Sequence, residues 1–266
     1  MLITIDSHVH TPYCPHGSPD RLADYCEQAI KQGIHTLSFT EHAPLPPSFS
    51  DPVPDADSAM KPNDLVCYLE DVAKVKKEYA EHLTVKLGLE VDYLIGIENE
   101  TRAFLNEVGP LLDDSLLSVH FLETEEGFLC LDYSPEMFEL LVKRLGSVEA
   151  VHKRYYQTVQ ASISANLGPH KPKRIGHMTL VRKFIQKFPT TASFHNETDL
   201  ILQLVRNQGL ELDYNGAGIQ KAFCKETYPP REIAVQAARM NIPLVYGSDA
   251  HTAKGLLSGR DFLISI

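Results

Sequence analysis

The sequence predicts an α/β fold of barrel type, in which parallel strands alternate with helices and bring polar side chains to one rim. Three observations predict it. Short β-rich runs alternate with stretches of helical periodicity from one end of the chain to the other. The length of 266 residues suits a strand-and-helix barrel folding as one domain over residues 1–266. Histidine and carboxylate residues recur where the strands end.

Leu2 to Asp6 reads as the first strand. Asp20 to Lys31 carries Leu22, Tyr25, Cys26, Ala29 and Ile30 at helical spacing and stops before Gly33, a residue suited to a helix C-terminus. His35 to Thr40 is the second strand. The stretch from Ala43 to Pro62, rich in Pro, Ser and Asp and without periodicity, is expected to be a loop over a site. A helix over Asn63–Glu81, a strand over Thr84–Leu89, a helix over Glu98–Val108 and a strand over Leu116–Phe121 continue the alternation. Phe128 to Leu131 reads as a hairpin partner, followed by helices over Pro135–Leu145 and Val148–Asn166 and a brief strand at Arg174–His177. The last third predicts a helix (Glu197–Asn207), a strand (Leu210–Asn215), a helix (Pro230–Met240) and strands at Leu244–Gly247 and Phe262–Ser265.

Hydrophobic residues make up 43% and charged residues 23%, so a sizeable core can be buried. No run is long and apolar enough to span a bilayer, and Met1–Asp6 lacks the features of a signal peptide, so a cytoplasmic location and no membrane partner are expected. The five cysteines, Cys14, Cys26, Cys67, Cys130 and Cys224, are scattered without a C-x-x-C pair and read as ordinary thiols. A net charge of −10 argues against nucleic acid as a partner, because nothing would replace the counterions of a phosphate backbone. Twelve histidines are the one oddity of composition.

Asp6-Ser7-His8-Val9-His10 sets two imidazoles on one strand face, where both can reach one ion. An H-x-H pair alone is a weak signal, since chance yields about half a pair in a chain with this many histidines. The pattern recurs, however. His16 follows in the next loop, His42 ends the second strand, Glu90 the third, and His120, His177, Asp249 and His251 end later ones. Seven histidines and two carboxylates thus converge on the shared rim, and divalent cations are the economical reason to collect them. Nine ligands suit two or three divalent transition-metal ions, with Zn, Mn or Fe all compatible with the donors. Asp6 and Glu41 are expected to orient imidazoles. His35, His82, His152, His170 and His195 read as solvated or locally hydrogen-bonded.

His8-x-His10, His16, Thr40-Glu41-His42, Gly88-x-Glu90, His120, His177 and Ser248-Asp249-Ala250-His251 together resemble the polymerase-and-histidinol-phosphatase (PHP) superfamily across essentially the whole chain. The length, the long loop after the second strand and Leu212-Asp213-Tyr214-Asn215-Gly216-Ala217-Gly218 resemble its monofunctional histidinol-phosphate phosphatase branch. The resemblance implies a distorted (β/α)7 barrel with a trinuclear site. By motif position, one metal would take His8, His10, Glu90 and Asp249, a second Glu90, His120 and His177, and a third His16, His42 and His251.

The expected reaction is hydrolysis of a small phosphomonoester, with Asp249 or His251 protonating the departing alkoxide. Arg154, Arg182 and Lys254 are the basic candidates for the phosphate. Glu123 or Asp213 could attract a substrate amine, and Phe49, Phe121, Phe223 or Tyr228 could pack on an imidazole. Competing readings keep the metals and change the substrate to a nucleotide phosphodiester or phosphotyrosine, change the enzyme to a metal amidohydrolase or deaminase, or leave a non-enzymatic metal buffer or partner-binding scaffold.

Overall fold

The chain's parallel strands form one sheet that curls until its edges meet. The computed structural model describes residues 3–264. Its strands are β1 (Ile5–Val9), β2 (Thr36–His42), β3 (Thr84–Asp92), β4 (Asp114–Ser118), β5 (Phe121–Thr124), β6 (Gly127–Cys130), β7 (Arg174–Ile175), β8 (Glu211–Asn215) and β9 (Leu244–Gly247). Seven of them run parallel in the order β1-β2-β3-β4-β7-β8-β9. A bridge between Val9 and Ala250 joins the last strand to the first, with His10 N–H donating to Ala250 O at 2.9 Å and Asp249 N–H to His8 O at 2.8 Å. This is the distorted (β/α)7 barrel expected.

The helices α1 (Leu22–Lys31), α2 (Leu65–Glu78), α3 (Glu98–Val108), α4 (Pro135–Leu145), α5 (Val148–Ser164), α6 (His195–Asn207) and α7 (Arg231–Arg239) follow the periodicity of the sequence to within a few residues. Their limits have local causes. Ser134 caps α4 by accepting from Met137 N–H, Gly146 ends that helix in the left-handed conformation, and Ser147 at once caps α5 by accepting from Ala150 N–H. The main core lies between the barrel and these helices and includes Leu37, Phe39, Val85, Leu89, Leu117, Ile175 and Leu212 from the strands. Among the described residues no helix is long and apolar enough to cross a membrane.

The structure corrects several expected elements. The first strand lies at Ile5–Val9 rather than Leu2–Asp6, because it pairs with β2 through residues 5 to 9; Leu2 lies outside the described residues. The run Leu116–Phe121 is divided. Its first part belongs to β4 in the barrel, while Phe121 opens the antiparallel hairpin β5–β6, which contains most of the expected partner segment. Phe262 sits in a short 3-10 turn (Arg260–Phe262) instead of a strand, since β9 already closes on β1 and leaves no edge to extend; Ser265 lies outside the described residues. The 43–61 segment has no helix or strand. Phe49 nonetheless packs edge-on against Phe121 and Phe128 of the hairpin, and Asp51 accepts from Val53 N–H and from the amide and hydroxyl of Ser58.

Two glycines mark where strands approach too closely for a side chain. A Cβ at Gly176 would fall 2.0 Å from Ser118 Oγ, and one at Gly247 would fall 2.3 Å from His8 Cβ and 2.6 Å from Asp213 Oδ1. Both positions adjoin the rim where the polar residues gather.

Candidate metal centre

The nine sequence-predicted ligands arrive from the ends of six strands and the turns that follow them. His8 and His10 come from β1 and the residue after it, His42 from the end of β2, Glu90 from β3, His120 from the turn after β4, His177 from the turn after β7, and Asp249 and His251 from the turn after β9. Asp249 adopts φ of +55°, a left-handed conformation that an Asp tolerates better than most residues, in the turn that returns the chain to β1. His16, exposed in the loop after β1, turns its ring toward His42 and His251, with centroids 5.4 and 5.1 Å away.

Glu90 is the hub. Its Oε2 lies 3.2 Å from His8 Nε2, 3.5 Å from His10 Nε2 and 3.2 Å from His42 Nδ1, and its Oε1 lies 2.9 Å from His177 Nε2 and 3.7 Å from His120 Nε2. Asp249 Oδ1 is 3.2 Å from His10 Nε2. The carboxylate is 1% exposed and His8 and His10 are fully buried beneath it.

The opposite ring atoms are tied down. His8 Nδ1–H donates to Asp213 Oδ2 at 2.9 Å, His10 Nδ1–H to Glu41 Oε1 at 3.1 Å and His120 Nδ1–H to Asp92 Oδ1 at 2.8 Å. His16 and His251 donate from Nδ1 to the carbonyls of Asp57 and Asp249, at 2.8 and 3.0 Å. A neutral imidazole that donates from Nδ1 presents a lone pair at Nε2. At His8 and His10 that lone pair confronts a carboxylate, and His120 Nε2 stands 3.2 Å from His177 Nε2. Such facing acceptors repel unless a proton or a cation stands between them. His10 Nε2, His42 Nδ1 and His177 Nδ1 are also buried without a hydrogen-bond partner. The donor set therefore fits divalent cations. Three groups of potential ligand atoms lie within 4.8 Å of one another: His8, His10 and Asp249; Glu90, His120 and His177; and His10, Cys14, His42 and His251.

The charges interlock. Burial opposes ionisation of Glu90, yet the imidazoles of His8, His42 and His120 hold its carboxyl well below the usual range, and His8 and His10 do the same for Asp249. Burial likewise opposes protonation of His10 and His120, but Asp249 and Glu41 carry the first up to about 9, and Asp92 and Glu90 carry the second up to about 10. His42 is driven the other way, by burial and by its neighbour His10.

Glu41 orients His10, as its position suggests, and is itself held by the backbone N–H and hydroxyl of Thr11. Asp6 does not orient an imidazole. The register of β1 against β2 shifts between Asp6 and Val9, which breaks the alternation of side chains, and Asp6 instead accepts from the backbone amides of Ser248 and Leu257. Asp213, weighed as a partner for a substrate amine, is buried under His8. Asp92 was not among the expected residues, although its place two residues beyond Glu90 on the same strand face was a signal for it.

Seven of the nine metal-ligand candidates, all but His8 and His10, border a cavity of about 500 Å³ whose lining also includes Phe121, Asp132, Tyr133, Lys183, Lys221 and Tyr228. None of the three basic residues expected at the phosphate lines it. Arg154 donates to Glu123 O, Arg182 is forked onto Glu226 at 2.7 and 2.8 Å, and Lys254 is exposed on a 3-10 turn (Ala253–Gly255). Lys183, next in sequence to Arg182, is a half-buried cation of the wall, paired with Asp132 at 2.8 Å. No feature of the sequence separated these two neighbours, since Leu180–Phe184 is a 3-10 turn whose facing residues neither helical nor strand spacing predicts. Phe49 and Phe223 also stay out of the cavity. His152 is buried rather than solvated, with neither ring nitrogen hydrogen-bonded and its ring stacked on Phe194.

Comparison with known proteins accords with this arrangement. The family model described as PHP domain matches residues 6–217. The histidinol-phosphatase of Bacillus subtilis (strain 168) is 48% identical over 250 residues, 93% of each chain. A solved structure from Listeria monocytogenes, described as a histidinol phosphatase, superposes with a TM-score of 0.94 at 40% identity over 98% of this chain and 100% of that one. A histidinol phosphate phosphatase from Lactococcus lactis, solved with Zn, L-histidinol and phosphate, has the same fold at 18% identity, with a TM-score of 0.71 over 95% of this chain and 88% of that one. From the matching family model and the relative at 48% identity, this chain belongs to the PHP domain family.

Proposed function

We propose that this protein is a histidinol-phosphatase, a metal-dependent phosphoric monoester hydrolase that cleaves L-histidinol phosphate to L-histidinol and phosphate in histidine biosynthesis. The observation that carries the reading is the ring of five imidazoles around Glu90, with Nδ1 of three of the ring and anchoring residues tied to carboxylates so that Nε2 faces inward. The near-identity in length and the 48% identity to a histidinol-phosphatase supply the substrate.

By motif position His8, His10, Glu90 and Asp249 would hold one ion, Glu90, His120 and His177 a second, and His16, His42 and His251 a third, and zinc, manganese or iron suits these donors; the ligand atoms of His8, His10 and Asp249, and those of Glu90, His120 and His177, lie close enough together to share an ion. Bound divalent cations supply a Lewis acid for phosphoryl oxygens and lower the pKa of water. The chain does the rest. Asp249, on the cavity wall, relays the proton of the attacking water to the departing alkoxide. Lys183 meets the phosphoryl oxygens from the opposite wall, and Asp132 holds that ammonium in place. Tyr133 and Phe121 offer flat apolar surface to the substrate's ring, and the acidic side chains Asp57 and Asp132 favour its cationic amine. The free, mostly buried cysteines accord with a reducing, cytoplasmic setting.

The test is metal analysis of protein purified without chelator, joined to a panel of histidinol phosphate, nucleotide phosphodiesters and phosphotyrosine peptides. Metal-dependent turnover fastest on histidinol phosphate is expected. Faster turnover of either other class would overturn the substrate, and turnover indifferent to metal would overturn the mechanism.

A further inference from the structure

Four cysteines are buried, and three of them behave as small apolar residues: Cys26 and Cys224 belong to the main hydrophobic core and Cys130 to the smaller cluster under the hairpin. Cys14 belongs to neither cluster, although it is only 3% exposed. Its surroundings are polar. Its sulfur lies within 4.8 Å of ligand nitrogens of His10, His42 and His251, which themselves lie within that distance of one another.

We propose that Cys14 is a metal ligand, its sulfur joining His42 and His251 at the outer metal position and making that position selective for a thiophilic divalent ion. The inference rests on the metal-centre reading above and extends its ligand set beyond the histidines and carboxylates.

A second observation points the same way. His10 Nε2 and His42 Nδ1 are buried ring nitrogens without hydrogen-bond partners, on residues 0% and 7% exposed, and both belong to the residues surrounding the sulfur. The chain is also shaped around the sulfur. Cys14 N–H donates to Thr11 O and Gly17 N–H to Cys14 O, both at 3.0 Å, which winds the segment into a tight turn. On coordination the thiol proton leaves to solvent. A sulfur donor among imidazoles favours zinc, cobalt or cadmium, and disfavours manganese and magnesium, which prefer oxygen. The inner group of His8, His10 and Asp249 has no sulfur and stays permissive.

Cobalt(II) loading of the whole protein tests this by absorption. The expected spectrum has visible ligand-field bands together with near-ultraviolet sulfur-to-cobalt charge transfer; that transfer is lost in Cys14→Ser and kept in Cys130→Ser, whose cysteine lines the cavity beside the histidines. Ligand-field bands with the same near-ultraviolet absorption in the parent and Cys14→Ser would overturn the proposal alone. Absence of all cobalt bands from the parent would overturn the metal centre with it. X-ray absorption at the zinc edge of the unmutated protein needs no variant: a sulfur scatterer at about 2.3 Å is expected, and a shell of nitrogen and oxygen only would refute the assignment.

Discussion

Asp213→Asn isolates the contribution of a residue that touches no metal candidate's inner face. Asp213 Oδ2 accepts from His8 Nδ1–H at 2.9 Å and from Asn215 Nδ2 at 3.1 Å, while Oδ1 is buried without a partner beside Gly247. The substitution keeps the shape and one acceptor for His8, so packing against Gly247 is preserved. It removes the charge that makes His8 Nε2 a stronger donor to a cation. Loss of such an outer carboxylate typically weakens metal binding 10- to 100-fold, or about 1.4–2.7 kcal/mol. Competition with a chromophoric chelator at neutral pH reads the affinity, and a thermal melt of the metal-free protein checks that folding is unchanged. Affinity within twofold of the parent, with an unchanged melt, would refute the claim that the His8–Asp213 pair sets the donor strength of the site.

Four further outcomes are expected. Glu90→Gln should lose metal from both positions that share this carboxylate, and retention of full metal content by elemental analysis would remove Glu90 as the bridge. Lys183→Met should raise KM for the phosphomonoester at least about tenfold, as expected for loss of a charged contact, with Lys183→Arg recovering part of it; equal KM values would take Lys183 out of the site. In metal-free protein, His10 and His120 have folded pKa values raised to about 9 and about 10, so their stabilisation is complete below the unfolded value of 6.5 and disappears as pH climbs through 9 to 10. Melts in chelator should therefore fall across that range while metal affinity rises over it, and a flat profile would refute the coupling. His152, pushed down to about 4 by burial and by Arg182, binds a proton more readily unfolded than folded, so stability falls as pH drops from 6.5 toward 4, by about 3 kcal/mol at most. His152→Phe should flatten that part of the acid profile relative to the parent, and an identical slope in both proteins would exclude the residue as the acid-sensitive group.

The order of strands and helices could be read from local periodicity because each helix buries one face against the sheet and the strands are short, mostly buried runs set between them. Helix α4 is the clearest case, with Ser134 and Gly146 writing both of its ends into the sequence. The nine ligand candidates were legible for a related reason: a parallel barrel sends every strand's carboxyl end to one rim, so residues that end strands meet whatever their separation in sequence. Local pattern reached less far where a side chain's direction depends on a neighbour. Asp6 faces the amides of Ser248 and Leu257 because β1 slips against β2, and a register shift leaves no mark in the residues themselves. The choice of Lys183 over Arg182 at the cavity wall was decided by a 3-10 turn and by where Asp132 and Glu226 lie, two carboxylates far away in the chain. Cys14 is alike in this respect, a plain thiol by spacing whose place among three imidazoles exists only once β1, β2 and the turn after β9 are side by side. The sequence by itself determined which residues reach the rim, since that follows from strand direction and the polarity of a parallel sheet. Only the tertiary structure decided which atoms face one another there, because hydrogen-bond geometry is fixed by register, turn conformation and partners that no local pattern encodes.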